Sequence, residues 1–148
     1  MRFRIIAVGR LKDRAMQQRC DEFVKWLGPY AKTDLVELAD ATVEKENIAI
    51  LRALSKEDGF KIVLSEDGVE LSSEAFAARL SAIDRKVILV IGGPGGLAPE
   101  VKRRADLVWS LSRLTFTHEI ARLLVCEQLF RAVSILHGGK YHIAGALP

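Results

Sequence analysis

The chain has 148 residues and a formal net charge of +3, with 49% apolar and 28% charged residues. That length provides one domain with a core that needs no staples, and the composition excludes disorder, collagen-like repeats and disulfide frameworks. The longest purely apolar run, Val87 to Ile91, is too short for a membrane span, and the opening Met-Arg-Phe-Arg-Ile lacks the apolar stretch of a secretory signal.

Residues 2–8 alternate polar and apolar side chains, which predicts a first strand ended by Gly9. A helix is predicted over 13–27, with Ala15, Met16, Phe23, Val24 and Leu27 apolar, stopped by Gly28-Pro29. A short strand over 34–38 follows. The next helix, 42–55, has Thr42 as its N-cap and Ile48, Leu51, Ala53 and Leu54 on its apolar face. Residues 61–64 form a buried strand, ended by a Ser-Glu-Asp-Gly turn at 65–68. A helix over 73–83 buries Phe76, Ala77, Leu80 and Ile83.

Residues 87–91 are all aliphatic, as in a strand covered on both faces. Gly92-Gly93-Pro94-Gly95-Gly96 then forms a loop, followed by a helix over 99–106, a strand over 107–111 and a loop over 112–116. A long helix, 117–137, is closed by Gly138-Gly139, and 140–148 are a tail. Strands alternating with helices predict an α/β fold in which helices flank a mostly parallel sheet.

Ligands of open α/β sheets bind beyond the carboxyl ends of the strands. Three loops, 65–68, 92–96 and 112–116, leave strand ends and are the natural walls of one pocket. The glycine loop serves either as a backbone cradle for a ligand or as a tight strand-to-helix turn. It fits the pattern G-x-G-x-x-A, but about twenty residues on, where a ribose-binding carboxylate belongs, the chain reads Arg113-Leu114-Thr115. There is no P-loop lysine either, so NAD and ATP are disfavoured.

The last long helix is apolar around most of its circumference, with a polar stripe of Glu127, Arg131 and Ser134. Glu127 and Arg131 are either a charge pair within a subunit interface or an ordinary solvent-facing i, i+4 pair. His118 opens this helix beside the 112–116 loop, as a reactive imidazole or as an unremarkable first-turn residue. Tyr141 and His142, after the Gly-Gly hinge, either fold over a pocket or belong to a frayed tail.

Cys20 and Cys126 are far apart, in no metal-like spacing. They read as reduced thiols of a cytoplasmic protein, and together with His118, His137 and His142 they assemble no zinc pattern, so no metal is expected. The charge is uneven, at +5 over 1–32, −7 over 33–74, +2 over 75–96 and +3 over 97–148. The basic ends either meet as a surface for a polyanion or lie on solvated helix faces.

Several separated motifs occur in a telling order: Val8-Gly9, then Ile91-Gly92-Gly93-Pro94, then Trp109-Ser110-Leu111-Ser112 with Leu114-Thr115-Phe116 and His118. Arg122, Glu127-Gln128-Leu129, Phe130-Arg131-Ala132 and Tyr141-His142 complete the series. Over essentially its whole length the chain resembles the RlmH (YbeA-like) family, the large-subunit rRNA pseudouridine N3-methyltransferases of the SPOUT class. The resemblance implies one SPOUT-like domain over 1–148, a deep trefoil knot near the C-terminus and a homodimer. It implies S-adenosylmethionine (S-adenosyl-L-methionine) as methyl donor, held at Leu64, Gly92, Leu111, Ser112, Arg113, Leu114, Thr115 and Phe116.

The implied substrate is a pseudouridine of 23S rRNA in the assembled 70S ribosome. His118, Glu127, Arg131, Tyr141 and His142 are then the catalytic candidates. Arg2, Arg4, Arg10, Lys12, Arg14 and Lys102 to Arg104 would track rRNA phosphates. The chain departs from the family pattern at Gly95, at Thr117 in place of a proline, and at Ile143 in place of a basic residue. A non-catalytic ribosome-binding protein of the same fold and a nucleotide-binding α/β enzyme are the rival readings.

Overall fold

The structure is a computed structural model that describes residues 1–144. Five strands form one wholly parallel sheet in the order β2-β1-β4-β3-β5. They are β1 (Arg2–Val8), β2 (Lys32–Leu38), β3 (Phe60–Glu70), β4 (Val87–Ile91) and β5 (Leu107–Ser110). The helices are α1 (Arg14–Leu27), α2 (Val43–Ser55), α3 (Ser73–Ser81), α4 (Pro99–Arg103), α5 (His118–Leu136) and α6 (Tyr141–Ala144).

The sheet separates two apolar layers. On one face, Phe3, Ile5, Ala7, Leu89 and Trp109 meet Phe23 and Leu27 of α1, Phe76 and Leu80 of α3, and Val125, Leu129 and Val133 of α5. On the other, Ile6, Val8, Val63, Ile88 and Val90 meet Ile50 and Leu54 of α2 and Val101 of α4. Every residue of β4, the central strand, is buried, in keeping with its unbroken aliphatic run.

The helix starts follow from caps. The side chains of Asp13, Thr42, Ser72 and Thr117 accept from the backbone N–H of Met16, Lys45, Ala75 and Ile120. Thr42 is the N-cap expected for α2, whereas Asp13 and Thr117, expected as first helical residues, are the residues just before their helices. The Thr117 hydroxyl caps α5, accepting from Ile120 N at 3.3 Å.

Several expected boundaries change. Helix α3 ends at Ser81 instead of Ile83, α4 at Arg103 instead of Asp106, and β5 at Ser110 instead of Leu111; β2 starts two residues early because it pairs with β1 from Arg2 onward. The largest correction is β3, which does not end in a turn at 65–68 but continues to Glu70 after an irregularity between Leu64 and Val69. Gly68 is there for close approach, not for a turn. A Cβ on it would stand 2.5 Å from the Val108 carbonyl oxygen.

The tail is also corrected in part. Residues 141–144 form α6, packed on α5 with Tyr141 buried, because its ring meets Phe23 and Phe130. Residues 145–148 lie outside the described residues. Cys20 and Cys126 are free and buried, on the packed helices α1 and α5. The hydrogen bond from Cys126 holds the Cys20 thiol below its ordinary value, and the same bond and burial push the Cys126 thiol up. Among the described residues no helix is long and apolar enough to cross a membrane.

Candidate active site at the carboxyl edge of the sheet

A cleft of about 700 Å³ opens where β3, β4 and β5 end. It lies where a parallel sheet presents its ligands, and its size suits a small organic molecule. Leu64, Ser65 and Glu66 form one wall, the glycine loop a second, and Leu111, Ser112, Leu114, Thr115 and Phe116 a third; His118 and Glu119 stand at the start of α5. The three expected segments do converge, although the first is a strand irregularity and not a loop.

The glycine loop is held from behind by α2. Asn47 Oδ1 accepts from Ala98 N at 2.7 Å, and Asn47 Nδ2 donates to Gly96 O at 3.3 Å and to Val43 O at 2.8 Å. Glu46, also buried, accepts from Ala41 N at 2.9 Å and packs so closely that a Cβ on Gly93 would stand 2.6 Å from its Oε1. Neither residue was legible as part of the site, because an acid and an amide on a charged helix read as solvent-facing. A Cβ on Gly95 would stand 2.9 Å from Val43, so the Val43 side chain fills the space that a larger residue there would need. Gly96 is the one loop glycine at positive φ, +83, with nothing within 4 Å of where a Cβ would stand.

The third wall is stitched to β3. Arg113 Nη1 donates to Glu66 O at 2.7 Å, its Nε lies 3.2 Å from Glu70, and Thr115 donates to the Glu66 carboxylate. Ser112 Oγ accepts from Leu114 N at 3.0 Å, a local turn that shapes the loop. Arg113 is thus drawn toward β3 and is not among the residues facing the cleft. The carboxyl ends of β3 and β5 are held together by its guanidinium.

His118 lies in the cleft wall, but Glu127, Arg131, Tyr141 and His142 do not. They form their own cluster farther along α5. Arg131 Nε and Nη2 donate to Glu127 Oε1 at 2.9 and 2.6 Å, and Tyr141 OH donates to the same oxygen at 3.0 Å. The guanidinium also lies over the Tyr141 ring, 4.6 Å from its centroid.

Arg131 Nη1 and His142 Nδ1 are 3.1 Å apart, and His142 Nε2 and Glu74 Oε1 are 2.8 Å apart. A guanidinium only donates, so Nδ1 accepts and the imidazole proton is assigned to Nε2, which donates to Glu74. The hydrogen bond to His142 holds the Glu74 carboxyl below its ordinary value. Burial, reinforced by Glu127, holds the Tyr141 phenol above its own. The Glu127–Arg131 pair is accordingly not a plain solvent-facing one: its side chains are 17% and 21% exposed and it anchors α6 through Tyr141.

The profile of a family described as a predicted SPOUT methyltransferase matches residues 1–142. The chain belongs to the SPOUT methyltransferase family. It is 39% identical to the ribosomal RNA large subunit methyltransferase H of Gloeobacter violaceus, over 96% of this chain and 99% of that one. It is 44% identical to the protein of the same name from a Synechococcus species, over 95% and 94% of the two chains. A solved structure of a "probable methylase family protein" from Haemophilus influenzae superposes with a TM-score of 0.62 at 17% identity, covering 93% of this chain and 69% of that one, a likeness of fold alone. The α/β architecture is thus a SPOUT methyltransferase fold, and its activity is methyl transfer. Among the described residues no group of His, Cys, Asp and Glu is arranged to hold a metal ion.

Proposed function

We propose that this SPOUT methyltransferase acts in the cytoplasm as a homodimer. It transfers a methyl group from S-adenosylmethionine to N3 of a pseudouridine in large-subunit (23S) rRNA of the assembled 70S ribosome. The observation that carries the reading is the cleft, in which three strand-end segments, the glycine loop among them, converge next to a histidine, in a chain whose relatives are named as large-subunit rRNA methyltransferases.

The residues present suit the donor. Leu64, Leu97, Leu111 and Phe116 offer apolar walls for a flat ring, backbone groups at Gly92 offer hydrogen bonds, and the Glu66 carboxylate favours a cation. Ser112, Leu114 and Thr115 complete the wall, with Arg113 holding it closed through Glu66 and Glu70. When bound, S-adenosylmethionine supplies a methyl group on a positive sulfonium, open to in-line displacement without a metal.

N3 of pseudouridine is an imide nitrogen and a weak nucleophile until it loses its proton. His118, half-buried in the cleft wall, is placed to take that proton. Glu127 and Arg131, with Tyr141 and His142 of α6 bonded to them, stand about 14–20 Å farther along α5, too far to serve the same target atom from the same chain. This distance supports a role for them from a partner subunit, ordering the target base or its phosphate.

In single-turnover assays with ribosomes, His118→Ala is expected to slow methylation about 100-fold, and Arg131→Ala to weaken ribosome engagement while donor binding measured by calorimetry stays. Parent-like rates in both variants, with their oligomeric state intact, contradict the roles. Binding of NAD or ATP without binding of S-adenosylmethionine contradicts the donor assignment.

A further inference from the structure

The basic residues expected to track rRNA separate into two groups. Arg4 pairs with Glu57 at 2.5 Å and Asp34 at 3.4 Å. Lys102 pairs with Asp67 at 3.0 Å, and Arg103 and Arg104 pair with Glu100 at 2.6 and 3.5 Å. Their charge is largely answered within the chain. Arg2, at the start of β1, is exposed and makes no ion pair among the described residues, and the same is true of Arg10, Lys12 and Arg14. These last three lie on or just after the connection from β1 to α1. This connection leaves the same edge of the sheet as the glycine loop, where a Cβ on Gly93 would stand 3.1 Å from Val8.

Two side chains from the first turns of α5 hold that connection. Glu119 Oε1 accepts from Lys12 N at 2.5 Å. Arg122 Nη2 donates to Gly9 O at 2.6 Å, and its Nη1 donates to Glu37 at 2.5 Å. Gly9 is a fixed corner, with φ at +79 and its own N–H donated to Leu38 O at 2.7 Å. Arg122 is 2% exposed, and its Nε is buried without a partner.

A buried guanidinium with an unanswered N–H is an inefficient way to fill a core, since an apolar side chain of similar size would do so without desolvating a charge. What the arginine does that an apolar residue cannot is grip the Gly9 carbonyl and Glu37 together. Glu119 grips the same connection three residues later in the chain. Both bonds tie the exposed cations to the helix whose start forms the wall of the cleft.

We infer that Glu119 and Arg122 are positioning residues for the rRNA backbone: they fix the Arg10–Lys12–Arg14 segment relative to the cleft, so that phosphate contacts and the target base are held in one register. The inference rests on the proposed rRNA methyltransferase activity. Neither residue needs to touch RNA, since both act through the backbone of the segment that does.

The test uses the full chain with 70S ribosomes and labelled S-adenosylmethionine. Glu119→Ala removes the acceptor of the Lys12 N–H, Glu119→Gln keeps an oxygen there, and an Arg10→Ala, Lys12→Ala, Arg14→Ala triple variant removes the cations. For Glu119→Ala the ribosome KM should rise about tenfold, with a smaller change in kcat, and the slope of log KM against log salt should flatten by about one unit. Glu119→Gln should restore both, and Glu119→Ala added to the triple variant should change neither further. Hydrogen exchange at Lys12 should accelerate in Glu119→Ala without any ribosome present.

A purely structural role for Glu119 would lower thermal stability and the active fraction while leaving the salt slope alone. That result, or an undiminished Glu119→Ala effect in the triple background, overturns the inference. A parent protein that transfers no methyl group overturns the rRNA reading on which it rests, whereas an active parent with an unmoved salt slope in Glu119→Ala overturns the inference alone.

Discussion

At the scale of single residues, Tyr141 shows how much of the site depends on partners distant in sequence. Its ring fills a gap between Phe23 and Phe130, and its hydroxyl completes the coordination of Glu127 by Arg131. Tyr141→Phe keeps the ring and loses the bond to a charged acceptor, so thermal or denaturant unfolding should show a loss of about 1.5–3 kcal/mol. Because burial and Glu127 hold the phenol above its ordinary value, Tyr141 stays protonated through neutral pH, and its ionisation should be missing from the neutral limb of the rate profile.

Residue types at motif positions marked His118, Glu127, Arg131, Tyr141 and His142 as candidates. Their division into a cleft residue and a separate cluster was not legible, because it depends on distance along α5 and on where α6 packs. Glu46, Asn47 and Glu119 escaped notice as site residues for the opposite reason: what joins them to the site is backbone far away in sequence, at Gly93, at Gly96 and Ala98, and at Lys12, and nothing about an acid or amide on a helix announces it.

At the scale of elements, local chemistry was legible where it is self-contained. Strand β4 announces itself by five aliphatic residues, and the caps at Asp13, Thr42 and Thr117 lie where side-chain oxygens precede apolar periodicity. Strand β3 was not legible past Leu64, because Asp67-Gly68 has the composition of a turn while pairing with β5 decides the outcome. Gly68→Ala tests that explanation. A methyl group 2.5 Å from the Val108 carbonyl must push β3 and β5 apart. A loss of about 1–3 kcal/mol is expected by chemical denaturation, together with weaker donor binding, since Ser65 and Glu66 lie in the displaced segment. A stable Gly68→Ala protein with parent-like donor binding would show that this irregularity does not shape the cleft.

At the scale of the whole molecule, the uneven charge resolves into pairs and a remainder. Glu57, 8% exposed in its side chain, joins Arg4 and Lys86 across elements at 2.5 and 2.7 Å. Burial pushes its carboxyl up, but the hydrogen bonds from Lys86 and Arg4 outweigh burial and hold it below its ordinary 4.5. A carboxyl lower in the folded than in the unfolded state stabilises the fold above its unfolded value and loses that contribution as pH falls through the folded one. The parent should therefore lose stability from about pH 5 downward, and Glu57→Gln should show a flatter acid limb. An equally steep acid limb in that variant would place the sensitivity elsewhere.

The parallel α/β order was legible in the alternation of strand and helix patterns, whereas the strand order β2-β1-β4-β3-β5 was not, because it is set by packing across the whole chain. The same holds for the basic surface: the sequence shows basic ends, and only the paired positions reveal that, of the basic residues expected to track rRNA, Arg10, Lys12 and Arg14 make no ion pair among the described residues, along with Arg2 at the start of β1. Everything at this scale converges on one proposed event, delivery of a methyl group from the cleft to the ribosome. It is tested most directly by incubating the purified protein with 70S ribosomes and methyl-labelled S-adenosylmethionine, then mapping the label. Label is expected at N3 of one pseudouridine in 23S rRNA; label on ribosomal protein or on another base, or none at all, rules that activity out.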